Sequence, residues 1–403
     1  IFSGEVISKR FSDERDWLSE KLPRPANAAA KEFITCIADQ AEYCQHFILP
    51  RRSPKNSANF GLVTHLQSLG LNAQQADMSA LCIFYLRDAG HQFAHSVLSI
   101  FYAKLLRAQG NATSVGFAAS EFQSICQATA AFFTLWMGAL HGRFPDSEYR
   151  QLFQSTSSNI SVASGSVNQT VGFIKTAFRN ALASHGIYDA TNSAAARTTW
   201  VNHAKQTAWY SRKAVCRFAL FASAHDAAPD LTPGNEGLFV NGMNNSSNLL
   251  NCRSWHASEY EVIEHVATRD KPTTIKFTTH FDPTIYPGNF SVVDKIGNLT
   301  LLSVPVNSSV YSEWPDKVFY YWSLTTPNST ATGATGAALM SSLGLTTLPP
   351  SLSALTSSAN YLSHLAPLAY RGEQGLPWNS AFIDIRSKHL CERVFDRLEG
   401  WLR

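Results

Sequence analysis

The chain has 403 residues, 45% of them hydrophobic and 16% charged, which suits two or three domains with their own cores and excludes an intrinsically disordered chain. A net charge of +3 excludes a uniformly basic nucleic-acid coat, so any basic surface is local. Seven cysteines with no CxxC pair fit buried, reduced thiols in a cytoplasmic protein better than a disulfide framework, and no structural zinc is expected.

From the N-terminus to about residue 226 the pattern is helical. Ser12-Asp13-Glu14 has the N-cap and acidic first turn of a short helix. Residues 27–49 form a longer one, stopped by Pro50. Over residues 74–109, Leu81, Phe84, Tyr85, Phe93, Val97, Phe101 and Leu105 recur at helical spacing, with Gly90 as a break. Residues 120–140 are apolar enough to lie at the centre of a bundle and too short to span a membrane, and no signal peptide precedes them. A Ser/Asn-rich linker (155–166) is followed by helices over 170–184 and 194–224. Residues 227–250, rich in Gly, Pro and Asn, read as a connecting loop. One compact β-signal then appears, strands over 260–266 and 299–303, with a helix from about 307 towards Trp322. A Ser/Thr/Gly/Ala-rich stretch (325–358) leads to an amphipathic helix over 380–402, with Phe382, Ile385, Leu390, Val394, Phe395, Leu398 and Trp401 on its inner face. The expected architecture is mainly α: a helical domain (1–226), a connector (227–250), a strand–loop–strand–helix domain (251–324), and a loop with a closing helix packed on the body (325–403).

The β-containing segment holds the residue types that phosphodiester hydrolysis needs. Cleavage requires a base to activate water, a group to hold that base, and a hard cation to neutralise charge at phosphorus. Glu264-His265, Asn298 and Asn307 supply a histidine base, an amide to position it, and an acid-plus-amide metal site. A strand, loop, strand and helix with a histidine ending the first strand is the ββα-metal arrangement.

Ile263-Glu264-His265-Val266, then Ile296-Gly297-Asn298-Leu299-Thr300-Leu301-Leu302 and Asn307, resemble the C-terminal HNH nuclease domain of GmrSD-type, modification-dependent (type IV) restriction enzymes and SspE-like phage-defence nucleases. These motifs cover residues 260–320; the segment from Trp378 to Leu402 is similar in pattern. The resemblance implies a DNA endonuclease with His265 as general base, Asn298 holding the catalytic loop and orienting the imidazole, and Glu264 and Asn307 as ligands of one Mg²⁺ or Mn²⁺. Lys317 would approach a phosphate. It further implies a sensor and NTPase half with a Gly-Gln-Gln-Arg type motif. That motif is not found, and the chain starts at Ile1, so an N-terminal partner domain is expected to lie outside it. Where many members carry Pro-Gln after the histidine, this chain reads Ala267-Thr268.

Two other readings stand beside it, an RNA-cleaving enzyme using the same site and a DNA-docking module whose site has decayed. Neighbours on a strand point to opposite faces, so Glu264 and His265 can serve one phosphate only if the strand ends or twists there. His91 and His95, at i, i+4, read as helix packing rather than a metal pair because Gln92 stands where a zinc-protease helix has Glu. Arg386 and Arg393, and the basic series Arg197, Lys205, Arg212, Lys213 and Arg217, are candidate DNA-facing charges that ordinary helix surfaces also carry.

Overall fold

Local helical signals become long-range contacts in a computed structural model that describes residues 28–48, 59–140, 142–155, 170–242, 248–269, 281–286, 292–304, 307, 314–325 and 363–403. The expected helix at Ser12 and the stretches 156–169 and 326–362 lie outside the described residues. The chain is mainly helical and divides into two compact units: residues 1–137, 142–192 and 399–403 form the first, and residues 138–141 and 193–398 the second. Among the described residues no helix is long and apolar enough to cross a membrane.

The first unit contains α1 (Ala28–Tyr43), continued by a π-helical turn at Cys44–Ile48, then α2 (Asn59–Ser68), α3 (Ala73–Asp88), α4 (Gln92–Arg107), α5 (Ala112–Ala139), α6 (Asp146–Ser155) and α7 (Val171–Ser184). Asn72 and Gln75 form a reciprocal capping box that opens α3, and Thr170 caps α7. Gly90, at φ 72, makes the break between α3 and α4. Helix α5 takes the central place its composition predicts. Tyr85 OH bonds Thr134 Oγ1 at 2.8 Å, and the Phe132 and Phe178 rings stack 4.3 Å apart. His91 and His95 belong to this core: His91 lies 4.1 Å from the Phe133 ring at 6°, and His95 Nδ1 meets Tyr43 OH at 2.8 Å.

The second unit holds α8 (Ser193–Ala204), α9 (Lys213–Ala224), strands β1 (Ala227–Pro229) and β2 (Phe239–Asn241), the short α10 (Cys252–His256), β3 (Val262–His265), β4 (Leu299–Leu302), α11 (Trp314–Thr325), α12 (Ala366–Glu373) and α13 (Ser380–Leu402). Two sequence expectations need correcting. Residues 194–224 are not one helix, because a 3-10 turn at Trp209–Ser211 separates α8 from α9. The connector also carries an antiparallel hairpin, with Ala228 opposite Val240. Asp230 anchors its turn by accepting from Thr232 N–H and Asn235 Nδ2, and Arg393 ties it to α13 by donating to Asn241 Oδ1 and Ser223 O. Arg393 thus has a structural role.

Strands β3 and β4 pair antiparallel, Glu264 opposite Thr300 and His265 opposite Leu299. One apolar core joins this ladder to α11, α12 and α13 through Val266, Leu302, Trp314, Val318, Tyr321, Leu368, Trp378, Phe382 and Ile383. Phe382, Leu390, Val394, Phe395 and Leu398 lie on the inner face of α13 as expected, and Ile385 alone of that set turns outward. Ile383 is fully buried, whereas Ile385 is 56% exposed.

Burial holds four histidines neutral, pushing His91 down to about 3 and His95, His225 and His364 to about 4. Folded values below the unfolded value near 6.5 mean that the unfolded chain binds more protons in that window. Stability therefore falls as pH drops from about 6.5 towards about 4, and His91, His95 and His364 each add a slope of up to ~1.4 kcal/mol per pH unit. The urea midpoint should be markedly lower at pH 5 than at pH 7.5; equal midpoints would contradict the burial of these rings as neutral groups.

Candidate active site

Strand β3 ends at His265, as a shared site would require, yet its last two side chains engage different partners. The imidazole is buried, and its Nε2 donates to Asp294 Oδ1 at 3.0 Å. That bond fixes the neutral tautomer with the proton on Nε2 and the lone pair on Nδ1. Nδ1 has no hydrogen-bond partner among the described residues. Burial lowers the His265 pKa, opposed by the hydrogen bond and charge of Asp294, so the ring is neutral at pH 7 and carries an acceptor nitrogen. Tyr210, in the 3-10 turn before α9, places its ring 4.2 Å from the imidazole at 56°. Its backbone N–H donates to Asp294 O at 3.4 Å. Arg269 Nη2 lies 3.7 Å from the other oxygen of Asp294.

Asn298 is fully buried, and its amide makes four hydrogen bonds. Oδ1 accepts from Ala267 N–H at 2.8 Å and from Trp378 Nε1 at 2.9 Å, while Nδ2 donates to Ala267 O and Val293 O at 2.9 Å each. The amide therefore stitches the turn after β3 to the turn before β4. His265 ends one of these segments, and Asp294 follows Val293 in the other. Asn298 holds the loop that carries the histidine, but the group bonded to the imidazole is Asp294, which the sequence reading missed. A signal was present: Asp294 is the one acid in Val292-Val293-Asp294-Lys295-Ile296-Gly297-Asn298.

Helix α13 closes over this turn. Gly297 N–H donates to Ser387 Oγ at 3.0 Å, and a Cβ on Gly297 would stand 2.2 Å from Ile383 O and 2.6 Å from Ser387 N. Only glycine allows this approach. Arg386, 2% exposed, donates to Gly297 O at 2.6 Å and Leu299 O at 3.1 Å, and burial pulls its pKa down to about 10. It is a clamp on the Gly297–Leu299 turn and does not face DNA. Arg217 is half-buried and donates to Tyr260 O and Trp255 O, and Arg197 is paired with Asp396 and Glu392.

Glu264 and Lys317 form the other half of the site. Lys317, on α11 and 2% exposed, donates to Glu264 Oε1 at 2.5 Å and to His265 O at 2.6 Å. It thus ties α11 to the end of β3 instead of reaching into solvent. Burial lowers its pKa, opposed by the Glu264 charge. Asn307 N–H donates to Ser303 O at 2.9 Å, and its buried Oδ1 has no hydrogen-bond partner among the described residues. An orphaned amide oxygen and a carboxylate whose Oε2 has no partner among the described residues are donors of the hard-oxygen kind that Mg²⁺ or Mn²⁺ prefers. The donor chemistry fits; the ammonium of Lys317 already neutralises Glu264, so a cation there would share or replace that bond.

A second group of potential ligands lies in the first unit, where one atom each of Glu42, His46 and His65 falls within 4.8 Å of the others. The two imidazoles stack 3.8 Å apart at 12°, so their in-plane lone pairs lie in nearly parallel, separate planes and one ion cannot lie along both unless a ring turns. Tyr102 OH, at 2.8 Å from His65 Nε2 and 3.0 Å from Glu42 Oε1, closes the group as a hydrogen-bond network.

No protein-family model matches the chain, and no curated protein matches it.

Proposed function

We propose that this chain is a divalent-metal-dependent HNH endonuclease that nicks or cuts DNA, acting as the effector part of a modification-dependent restriction or phage-defence protein. The observation that carries this reading is the His265–Asp294 pair, set in a loop that Asn298 locks on a strand–loop–strand–helix unit. A neutral imidazole with Nδ1 open and a carboxylate on Nε2 suits a general base: Nδ1 takes the proton of the attacking water, and Asp294 stabilises the imidazolium that results. Glu264 and Asn307 would hold Mg²⁺ or Mn²⁺, which supplies electrostatic stabilisation of charge at the phosphate. The assignment to the restriction and defence family rests on the Glu264-His265, Gly297-Asn298-Leu299-Thr300-Leu301-Leu302 and Asn307 motifs.

Incubation of supercoiled plasmid with Mg²⁺ or Mn²⁺ should yield open circles, and EDTA should stop the reaction. No conversion with either metal would sink the reading. Labelled RNA in the same assay tests the ribonuclease alternative. One observation favours a second reading, a docking module without catalysis: the Lys317 ammonium sits on Glu264, where a metal-binding carboxylate would need to be open. Plasmid binding without nicking would select it.

A further inference from the structure

In the basic series 197–217, Lys213 stands over a ring that packs against the candidate base. Lys213, exposed at the start of α9, places Nζ 5.4 Å from the centroid of Tyr210. From the opposite side of the sequence, the turn after β3, Arg269 places its guanidinium carbon 5.5 Å from the same ring. Both side chains are exposed. Two cations from separate elements converge on one half-buried aromatic ring that packs against His265. Arg269 also lies beside Asp294, which it shares with the imidazole. Like charges gather around one ring at little cost only where solvent or an anion lies between them.

We infer that Tyr210, Lys213 and Arg269 form the docking platform for the nucleotide next to the scissile phosphate, Lys213 and Arg269 taking its phosphates and Tyr210 its base or sugar face. The inference rests on the nuclease reading. Exposed cation–π contacts are weak, so a phosphodiester displaces them readily, whereas stacking on an aromatic face is sequence-tolerant and suits a site that reads no base edge. The platform also explains why a mildly charged chain needs no broad basic surface: the cations are placed where the reaction occurs.

The test is binding of a fluorescein-labelled 12-mer single strand and of its duplex in EDTA, by fluorescence anisotropy across a salt series, with plasmid nicking measured in parallel. Lys213→Ala should weaken binding several-fold and flatten the plot of log K against log salt by about 0.7–0.9. Tyr210→Leu should weaken binding about tenfold with an unchanged salt slope, and Tyr210→Trp should restore it. Circular dichroism and melting curves matching wild type show that these variants fold. Arg269→Ala is read for binding alone, because it also touches Asp294. Wild-type affinity and slope in both Lys213→Ala and Tyr210→Leu overturn the platform, and if such variants still nick, the nuclease reading survives. Variant-sensitive binding with no nicking under either metal removes the nuclease and overturns the platform's place beside a scissile phosphate, leaving a DNA-docking surface. Absence of any binding by the wild type overturns the platform.

Discussion

Replacement of His265 by alanine is expected to lower plasmid nicking by roughly 10²–10⁴-fold, the usual worth of a positioned general base. The substrate affinity measured in EDTA should stay close to that of the wild type, because the ring is buried and offers little contact surface. The pH profile provides the sharper check. Burial lowers the His265 pKa and Asp294 raises it, with burial the larger influence. The base is active when neutral, so the nicking rate should climb with pH through a limb below the ordinary histidine value of about 6.5 and then level off. Asp294→Asn removes the opposing influence and leaves burial, so the limb should move to still lower pH. The same change withdraws the counter-charge from the imidazolium formed during proton transfer, so the plateau should drop, by about tenfold for each 1.4 kcal/mol lost. A lower limb with a lower plateau is hard to produce by simple loosening of the fold. An Asp294→Asn profile that superimposes on the wild type would remove Asp294 from the mechanism.

Elements governed by local spacing were readable in the sequence. Helix α13 falls on residues 380–402 as expected, Gly90 breaks α3 from α4, and the two strands lie within the predicted segments. Each of these is written in the periodicity of a few adjacent residues. The partners of the site were less readable because they meet from afar: Asp294 reaches His265 across 29 positions and Lys317 reaches Glu264 across 53. Even so, the burial of two cations had a local sign. Lys317 lies three residues after Trp314, beside Val318 and four before Tyr321, on the apolar stripe of α11; Arg386 follows Ile383 by three and precedes Leu390 by four in α13. A charge on the stripe of an amphipathic helix points inward, to carbonyls or a carboxylate. The hairpin of the connector escaped notice because its strands are three residues each, too short for alternation to register. Tyr210 was hidden for another reason. Its value depends on a break between α8 and α9 that places its ring on His265, and residues 194–224 read as one continuous helix.

The largest loss of stability is expected at Asn298. Its amide satisfies Ala267 N–H, Trp378 Nε1, Ala267 O and Val293 O from a fully buried position. Asn298→Ala leaves two donors and two acceptors to find other partners in a place water does not reach. At about 1–3 kcal/mol for each buried group left unsatisfied, the total comes to about 4 kcal/mol or more, a large part of the ~5–15 kcal/mol that holds a typical domain together. Trp378→Phe removes one of these bonds and replaces a fully buried indole by a smaller ring, so its cost should be about 2 kcal/mol. Gly297→Ala should be as damaging as Asn298→Ala by a different route, because its Cβ would meet the backbone of α13 at Ile383 O and Ser387 N, which cannot move without displacing the helix. Chemical denaturation of the three variants should rank Trp378→Phe below the wild type and the other two lower still. If Asn298→Ala unfolds within 1 kcal/mol of the wild type, the amide is not what holds the loop. The ranking also decides how activity data are read. A dead Asn298→Ala protein reports on a collapsed loop as readily as on chemistry, so loss of nicking counts towards the mechanism only in His265 and Asp294 variants that melt like the wild type.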